Sequence, residues 1–194
     1  RDIKKIAHGF GEVEDDDDEK VTESVTLGHV LENIFFSTPL HKYENIAFLD
    51  TPGYSKPDSE KYSAKTDEQI SRGQLNSSNY ILWFVQADTG TITEEDIKFI
   101  KTLREGIPML IIVNKADKKN LSDLKDIIAK IKSTLDIKGV RYVDVLAFTS
   151  KLEQIEDDKL KSFIESDANR IREQIEIWNR HTYESNFARN FKKL

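Results

Sequence analysis

The chain has 194 residues, 38% of them hydrophobic and 33% charged, enough apolar side chain for one sizeable core in an ordinary α/β composition. A formal net charge of −6, with no basic stripe to neutralise phosphates, argues against nucleic acid as the main partner. The absence of cysteine excludes a disulfide frame, a thiolate metal site and a cysteine nucleophile, and is compatible with a reducing cytoplasm; no apolar run approaches the ~20 residues of a membrane-spanning helix.

Residues 1–31 read as a polar, acidic amino-terminal segment. Its run Glu14-Asp15-Asp16-Asp17-Asp18-Glu19 is expected to be a solvated loop kept extended by like-charge repulsion, because nothing fixes the carboxylates around a cation. From residue 32 to residue 180 apolar runs alternate with helical periodicities. That alternation predicts an α/β domain of three layers, a mainly parallel sheet with helices on both faces, joined by right-handed crossovers.

A first strand is expected in Ile34-Phe35-Phe36, followed by Ser37-Thr38-Pro39-Leu40. A second, Ile46-Ala47-Phe48-Leu49, ends in Asp50-Thr51-Pro52-Gly53-Tyr54, which has the form D-x-x-G. A carboxylate such as Asp50 at a strand tip can hold the water shell of Mg²⁺, an ion that keeps several waters and takes few protein carboxylates. Gly53, three residues on, lets the backbone come close enough for its N–H to meet a terminal phosphate. The same letters also spell a Pro-Gly type II turn.

The run Tyr80-Ile81-Leu82-Trp83-Phe84-Val85 predicts a further strand. Thr93-Glu94-Glu95-Asp96 opens a helix whose narrow apolar face carries Ile97, Ile100 and, through Lys101, Leu103 to Arg104. Tyr62, Tyr80 and Trp83 are expected as core or sheet-edge aromatics.

After Pro108 the run Met109-Leu110-Ile111-Ile112-Val113 reads as a buried parallel strand, and Asn114-Lys115-Ala116-Asp117 lands at its carboxyl end, where open α/β sheets bind ligands. Asp117 offers two acceptor oxygens, which can take a bidentate pair from the ring N1–H and exocyclic amine of guanine; adenine has no such donor pair on that edge. Asn114 can tie neighbouring loops and face the base edge, and the aliphatic stem of Lys115 can cover its flat face. A plain solvated turn is the other use of the same four residues.

Leu121, Leu124, Ile127, Ile128, Ile131 and Leu135 recur at three and four, predicting an amphipathic helix. A last strand over 142–148 runs into Thr149-Ser150-Lys151, which by itself is a helix-start signal. Phe163, Ile164, Ala168, Ile171, Ile175 and Trp178 then predict one long helix on the sheet, and residues 181–194 form a carboxy-terminal extension. His8, His29, His41 and His181 show no metal-ligand spacing and no nucleophile partner.

Taken in order, these landmarks over residues 32–151 resemble a GTPase of the translation-factor class. Within it, Ile34 through Leu40 and Ala87-Asp88-Thr89-Gly90-Thr91-Ile92-Thr93-Glu94-Glu95-Asp96 are similar to dynamin-like proteins. The resemblance implies a P-loop GTPase-like fold that binds GTP and GDP and hydrolyses GTP with Mg²⁺. Asn114, Lys115 and Asp117 would select guanine. Ser150 and Lys151 would flank it, in a loop whose backbone N–H meets the guanine carbonyl oxygen. Asp50 and Gly53 would sense the γ-phosphate, Asp50 reaching the metal through water. It also implies self-association through the GTPase domain, and membrane contact through regions outside this chain, making the full-length protein cytoplasmic or peripheral to a membrane. Trp178, Tyr183, Phe187 and Phe191 would be placed to meet a helical stalk.

One departure is large. The class holds phosphates with G-x-x-x-x-G-K-S/T, and not one of the eight glycines here is followed by lysine. A chain that starts at Arg1 is therefore expected to be a fragment of a longer GTPase cut after its phosphate loop, with a non-hydrolysing pseudo-GTPase interaction module as the alternative. Tyr54 stands where Ras-like proteins place a water-orienting Gln, and Thr22, Thr26 and Thr38 are the candidates for a switch threonine, so no catalytic residue can be named. In this class the strand feeding the phosphate loop lies between the strand ending at Asp50 and the strand over 80–85. Its loss predicts a gap, either refilled by another strand or closed by direct pairing of its two neighbours.

Overall fold

The computed structural model describes residues 43–51 and 61–191. Ile34 to Leu40, the acidic run and Gly53 lie outside the described residues. Three parallel strands, β1 (Ile81–Gln86), β2 (Met109–Asn114) and β3 (Val145–Ala147), lie in the order β1-β2-β3. The register runs from Ile81 opposite Met109 to Gln86 opposite Asn114, and from Ile111 opposite Val145 to Val113 opposite Ala147. Among the described residues four α-helices accompany them: α1 (Lys61–Ser77), α2 (Glu94–Ile100), α3 (Leu121–Ile137) and α4 (Asp158–Phe191).

The central position of β2 follows from its composition. Met109 to Val113 are apolar without alternation, so both faces must be covered, and all five are buried. β1 alternates instead, with Ile81, Trp83 and Val85 buried and Phe84 exposed. One face of the sheet packs Trp83, Val85, Ile111, Val113 and Ala147 against Ile97, Leu124, Ile131, Leu135 and Ile164. The other packs Leu82, Leu110, Ile112 and Leu146 against Ile171, Ile175, Trp178 and Ile46. The result is a parallel α/β sheet with apolar cover on both faces.

Helix starts fall where short polar side chains can accept the first free amides. Thr93 and Asp96 form a reciprocal capping box at α2. Asn120 Oδ1 accepts Asp123 N–H at 2.9 Å ahead of α3, and Asp157 Oδ1 accepts Leu160 N–H at 3.1 Å ahead of α4. α2 stops at Ile100 rather than running to Arg104, because the chain turns through Thr102 and Arg104 N–H goes to Asn76 Oδ1 at 2.6 Å. α4 continues unbroken through residue 180, where the sequence suggests the start of an extension. Trp178 is buried and stacked on Tyr80, ring centroids 4.6 Å apart, so it serves this domain's own core and not a stalk.

The last strand is shorter than the run over 142–148, and two carboxylates explain how its outer edge ends. Ile111 N–H donates to Asp144 O and Phe148 N–H to Val113 O, so the even residues face β2 and the odd amides turn outward. The outward amide of Val145 donates to Asp144 Oδ1 at 2.7 Å, and that of Ala147 to the buried Asp167 Oδ2 at 2.8 Å. Asp144 also binds Lys132 at 2.8 Å and pairs with Arg170, whose other nitrogen reaches Asp167 at 3.2 Å. Side-chain carboxylates thus take the place of a fourth strand.

The opposite edge is different. Residues 46–49 form no strand, correcting the expectation: Asn45 N–H is held by Asn179 Oδ1 at 3.0 Å, while Phe48 and Leu49 are 57% and 48% exposed. Ile81 N–H donates to Pro108 O, which fixes the parity of β1 and turns the N–H and C=O groups of Leu82 and Phe84 away from β2. They face a cleft of about 460 Å³ between β1 and the 45–51 segment, lined by Ile46, Leu49, Leu82, Phe84, Ile175 and Trp178 among others. The two neighbours have therefore not closed up and paired. An apolar run becomes a strand only where another backbone pairs with it, and among the described residues none pairs with 46–49.

Two outcomes test this description. In hydrogen exchange the amides of Leu82 and Phe84 should exchange at least about 100-fold faster than those of Val85, Ile111 and Ile112, as open edges exchange by local fluctuation and central strands by near-global opening. Burial raises the Asp144 carboxyl, but the Lys132 ammonium, the Val145 amide and Arg170 together hold it below the usual 3.8. A carboxylate with a depressed folded value stabilises above its unfolded value, and that contribution disappears as pH falls through the folded one. Asp144→Asn should accordingly be less stable than the parent at pH 7, with the difference in urea midpoint shrinking below about pH 4.

Candidate functional site: the loops after β2 and β3

The end of β2 becomes a tight turn at Lys115, whose backbone is left-handed (φ 58°, ψ 38°), the one described non-glycine residue with positive φ. Such a conformation costs about 1–3 kcal/mol and persists only where the surroundings impose it. Here they do. Ala116 is fully buried and its N–H donates to Phe148 O at 3.1 Å, pinning the turn of 116–118 to the end of β3. Asn114 folds back on its own turn, its Oδ1 accepting Lys115 N–H at 2.8 Å, rather than reaching a neighbouring loop.

Asp117 and the segment after β3 meet directly. The buried Thr149 hydroxyl donates to Asp117 Oδ1 and accepts Lys151 N–H at 3.0 Å. Among the described residues neither Asp117 Oδ2 nor the amide of the exposed Ser150 has a hydrogen-bond partner. One carboxylate of fixed orientation, one free oxygen and one free N–H therefore stand together at the carboxyl end of the sheet. The fixed carboxylate can take two donors from a planar ligand, and the free amide can donate to an acceptor beside them. Thr149 is the residue that sequence reasoning passed over. Its signal was legible, as the first residue of Thr149-Ser150-Lys151, but its partner 32 positions away was not.

The turn after β1 borders the same place. Gln86, opposite Asn114 in the register, accepts Lys115 Nζ at 3.1 Å through Oε1. Asp88 binds Lys118 at 2.8 Å and lies 3.8 Å from Lys119. The Lys118 hydrogen bond holds the Asp88 carboxyl below its ordinary value, and Asp88 in return raises the Lys118 ammonium. Both partners are solvated, so this link is a guide to geometry and not a large source of stability.

Of the residues singled out in the sequence, Asn114, Lys115, Asp117, Ser150 and Lys151 come together in these two loops. Asp50 does not join them; it is exposed and lines the cleft beside β1. Asp50 is the residue expected to serve Mg²⁺, and no group of three side chains that could hold a metal ion occurs among the described residues. A single exposed carboxylate does not hold the ion by itself. No described helix is long and apolar enough to cross a membrane.

A parallel α/β sheet with N-K-x-D at the end of its central strand and Thr-Ser-Lys at the end of the next defines part of a P-loop GTPase domain of the translation-factor class. Comparison with known proteins supports that class: residues 15–115, just over half of the chain, match the family described as 50S ribosome-binding GTPase, and the chain belongs to that family. It is similar to proteins called GTPase Der from Buchnera aphidicola subsp. Acyrthosiphon pisum, strains Tuc7, 5A and APS. Each is 30% identical over 161 residues, covering 74% of this chain and 34% of the relative. The chain thus spans about a third of the length of the curated relatives it matches.

Removing the Thr149 hydroxyl leaves Asp117 Oδ1 and Lys151 N–H without their shared partner. Thr149→Val should lower unfolding free energy by about 1–2 kcal/mol, measured by urea denaturation, while Thr149→Ser, which keeps the hydroxyl, should lose less than half of that.

Proposed function

We propose that the two loops recognise guanine and that the chain works as the base-binding part of a GTP-binding domain. Asn114, Lys115 and Asp117 select the base, and Ser150 and Lys151 flank it. What supports this most is the Asp117 carboxylate, oriented by Thr149, whose second oxygen, like the N–H of the next residue Ser150, has no partner among the described residues. That pairing matches the adjacent donors and carbonyl oxygen on one edge of guanine and mismatches adenine. Asp50 and Gly53 are proposed to serve the γ-phosphate and a water-held Mg²⁺, and the protein that contains this domain to hydrolyse GTP to GDP and phosphate.

Within the GTPase class, the dynamin-like refinement has the two segments 34–40 and 87–96 behind it, the first outside the described residues; the named relatives are Der proteins. Membrane contact and self-association depend on that refinement and stay proposals with it. Ribosome binding is part of the family's description, and for this acidic chain it would have to proceed without a basic stripe. A second reading, a non-hydrolysing interaction module, is favoured by one observation: the 194 residues contain no G-x-x-x-x-G-K-S/T.

The test separates base recognition from hydrolysis. The ¹⁵N-labelled chain is titrated to millimolar GMP or AMP; the amides of Lys115, Asp117 and Ser150 should shift with GMP and not with AMP. Asp117→Asn should move the preference from GMP toward XMP, whose edge carries an oxygen where guanine has its amine. Equal responses to GMP and AMP would sink the proposal. Phosphate release from GTP and Mg²⁺ should be at background for this chain, since several amides and a lysine that neutralise the triphosphate are missing from it.

A further inference from the structure

We infer that Gln86 is a positioning residue for base binding: its side-chain oxygen holds the Lys115 ammonium so that the lysine stem lies as one wall of the base site. The inference rests on the guanine reading above and adds to it a residue from a different strand. Three observations carry it.

The first is register. Gln86 closes β1 directly opposite Asn114, so the two strand ends arrive side by side, and a side chain from one reaches the turn of the other without any loop rearrangement. The second is the contact itself, Lys115 Nζ to Gln86 Oε1 at 3.1 Å. The third is the backbone of Lys115. Its left-handed conformation at φ 58° sets the direction in which the side chain leaves the turn, and the buried Ala116 behind it forbids relaxation.

A lysine on a solvated turn otherwise samples many rotamers, and stilling it costs conformational entropy. An acceptor placed at the far end of the stem meets part of that cost before any ligand arrives. The four methylenes are then held extended between the turn and β1, an apolar surface suited to the flat face of a base. Gln is suited to this because its amide oxygen accepts without adding charge beside a nucleotide. Asp88, two residues on, is not equivalent. Its partners are Lys118 and Lys119, which point the turn of 116–118 but do not supply the wall.

The experiment is the GMP titration of the 194-residue chain, with Gln86→Leu, Gln86→Glu and Asp88→Asn alongside the parent. Gln86→Leu keeps the side chain out to Cδ and removes the acceptor. It should weaken GMP binding roughly threefold to tenfold, the scale of one partly exposed hydrogen bond to a charged group, leaving the preference for GMP over AMP and the amide spectrum of the fold unchanged. Gln86→Glu restores an acceptor and should recover at least half of the lost affinity. Asp88→Asn should change affinity less than twofold. If the parent shows no preference for GMP, the base reading fails and this inference with it. If the parent binds GMP selectively but Gln86→Leu binds equally well, or Gln86→Glu does not recover, the base reading stands and the role of Gln86 is overturned.

Discussion

The pairing of β2 on both its edges is the constraint on which everything else hangs. Its five buried apolar residues can be covered only from two faces and two sides, so β1 and β3 must lie along it and helices must cover it above and below. Because all three strands are parallel, their carboxyl ends emerge together. Gln86, Asn114 and the segment after Ala147 become neighbours for that reason alone, although they are tens of residues apart in the chain. The candidate site is the polar continuation of this apolar ladder.

At the two outer edges of the same sheet the structure meets one problem in two ways. The far edge of β3 ends on Asp144 and Asp167, which accept its outward amides and are themselves balanced by Lys132 and Arg170. A carboxylate in that position costs desolvation, and the cations and backbone donors around it offset the cost. Among the described residues the far edge of β1 has no such substitute, and Leu82 and Phe84 turn their backbone groups toward an apolar cleft. In the GTPase class a strand and phosphate loop run through that region.

A consequence for the proposed site is that the groups assigned to the base and the residue assigned to the phosphates lie on different parts of the fold. The two loops after β2 and β3 are tied to the core and to each other by the fully buried Ala116 and the buried Thr149, through Ala116 N–H to Phe148 O and Thr149 to Asp117. Asp50 sits on an exposed segment held at its start by Asn179 and bordered by the cleft. The half of the sheet around β2 and β3 carries the groups proposed to bind the base, and beside the groups proposed to serve the phosphates no strand pairs with the outer edge of β1 among the described residues.

The sequence by itself determined the elements with strong period or unbroken apolar runs. β2, α3 and α4 were legible because burial on two faces, or on one helical stripe, writes itself into residue order. Asn114, Lys115 and Asp117 were legible for a related reason, since a strand end marks where a parallel sheet presents its ligands. Residues 46–49 read as a strand and are not one, because an apolar run states only that a segment can pair and not that a partner exists. The place of Trp178 against Tyr80 and the edge-closing roles of Asp144 and Asp167 were decided by the tertiary structure. So were the bond from Thr149 to Asp117 and the reach of Lys115 to Gln86. Apart from the contacts of Asp144 with Val145 and Lys132, each joins residues about 20 to 100 apart, and no local pattern encodes a partner at that distance; the register of the parallel strands and the packing of the long helix α4 on the sheet bring them into contact.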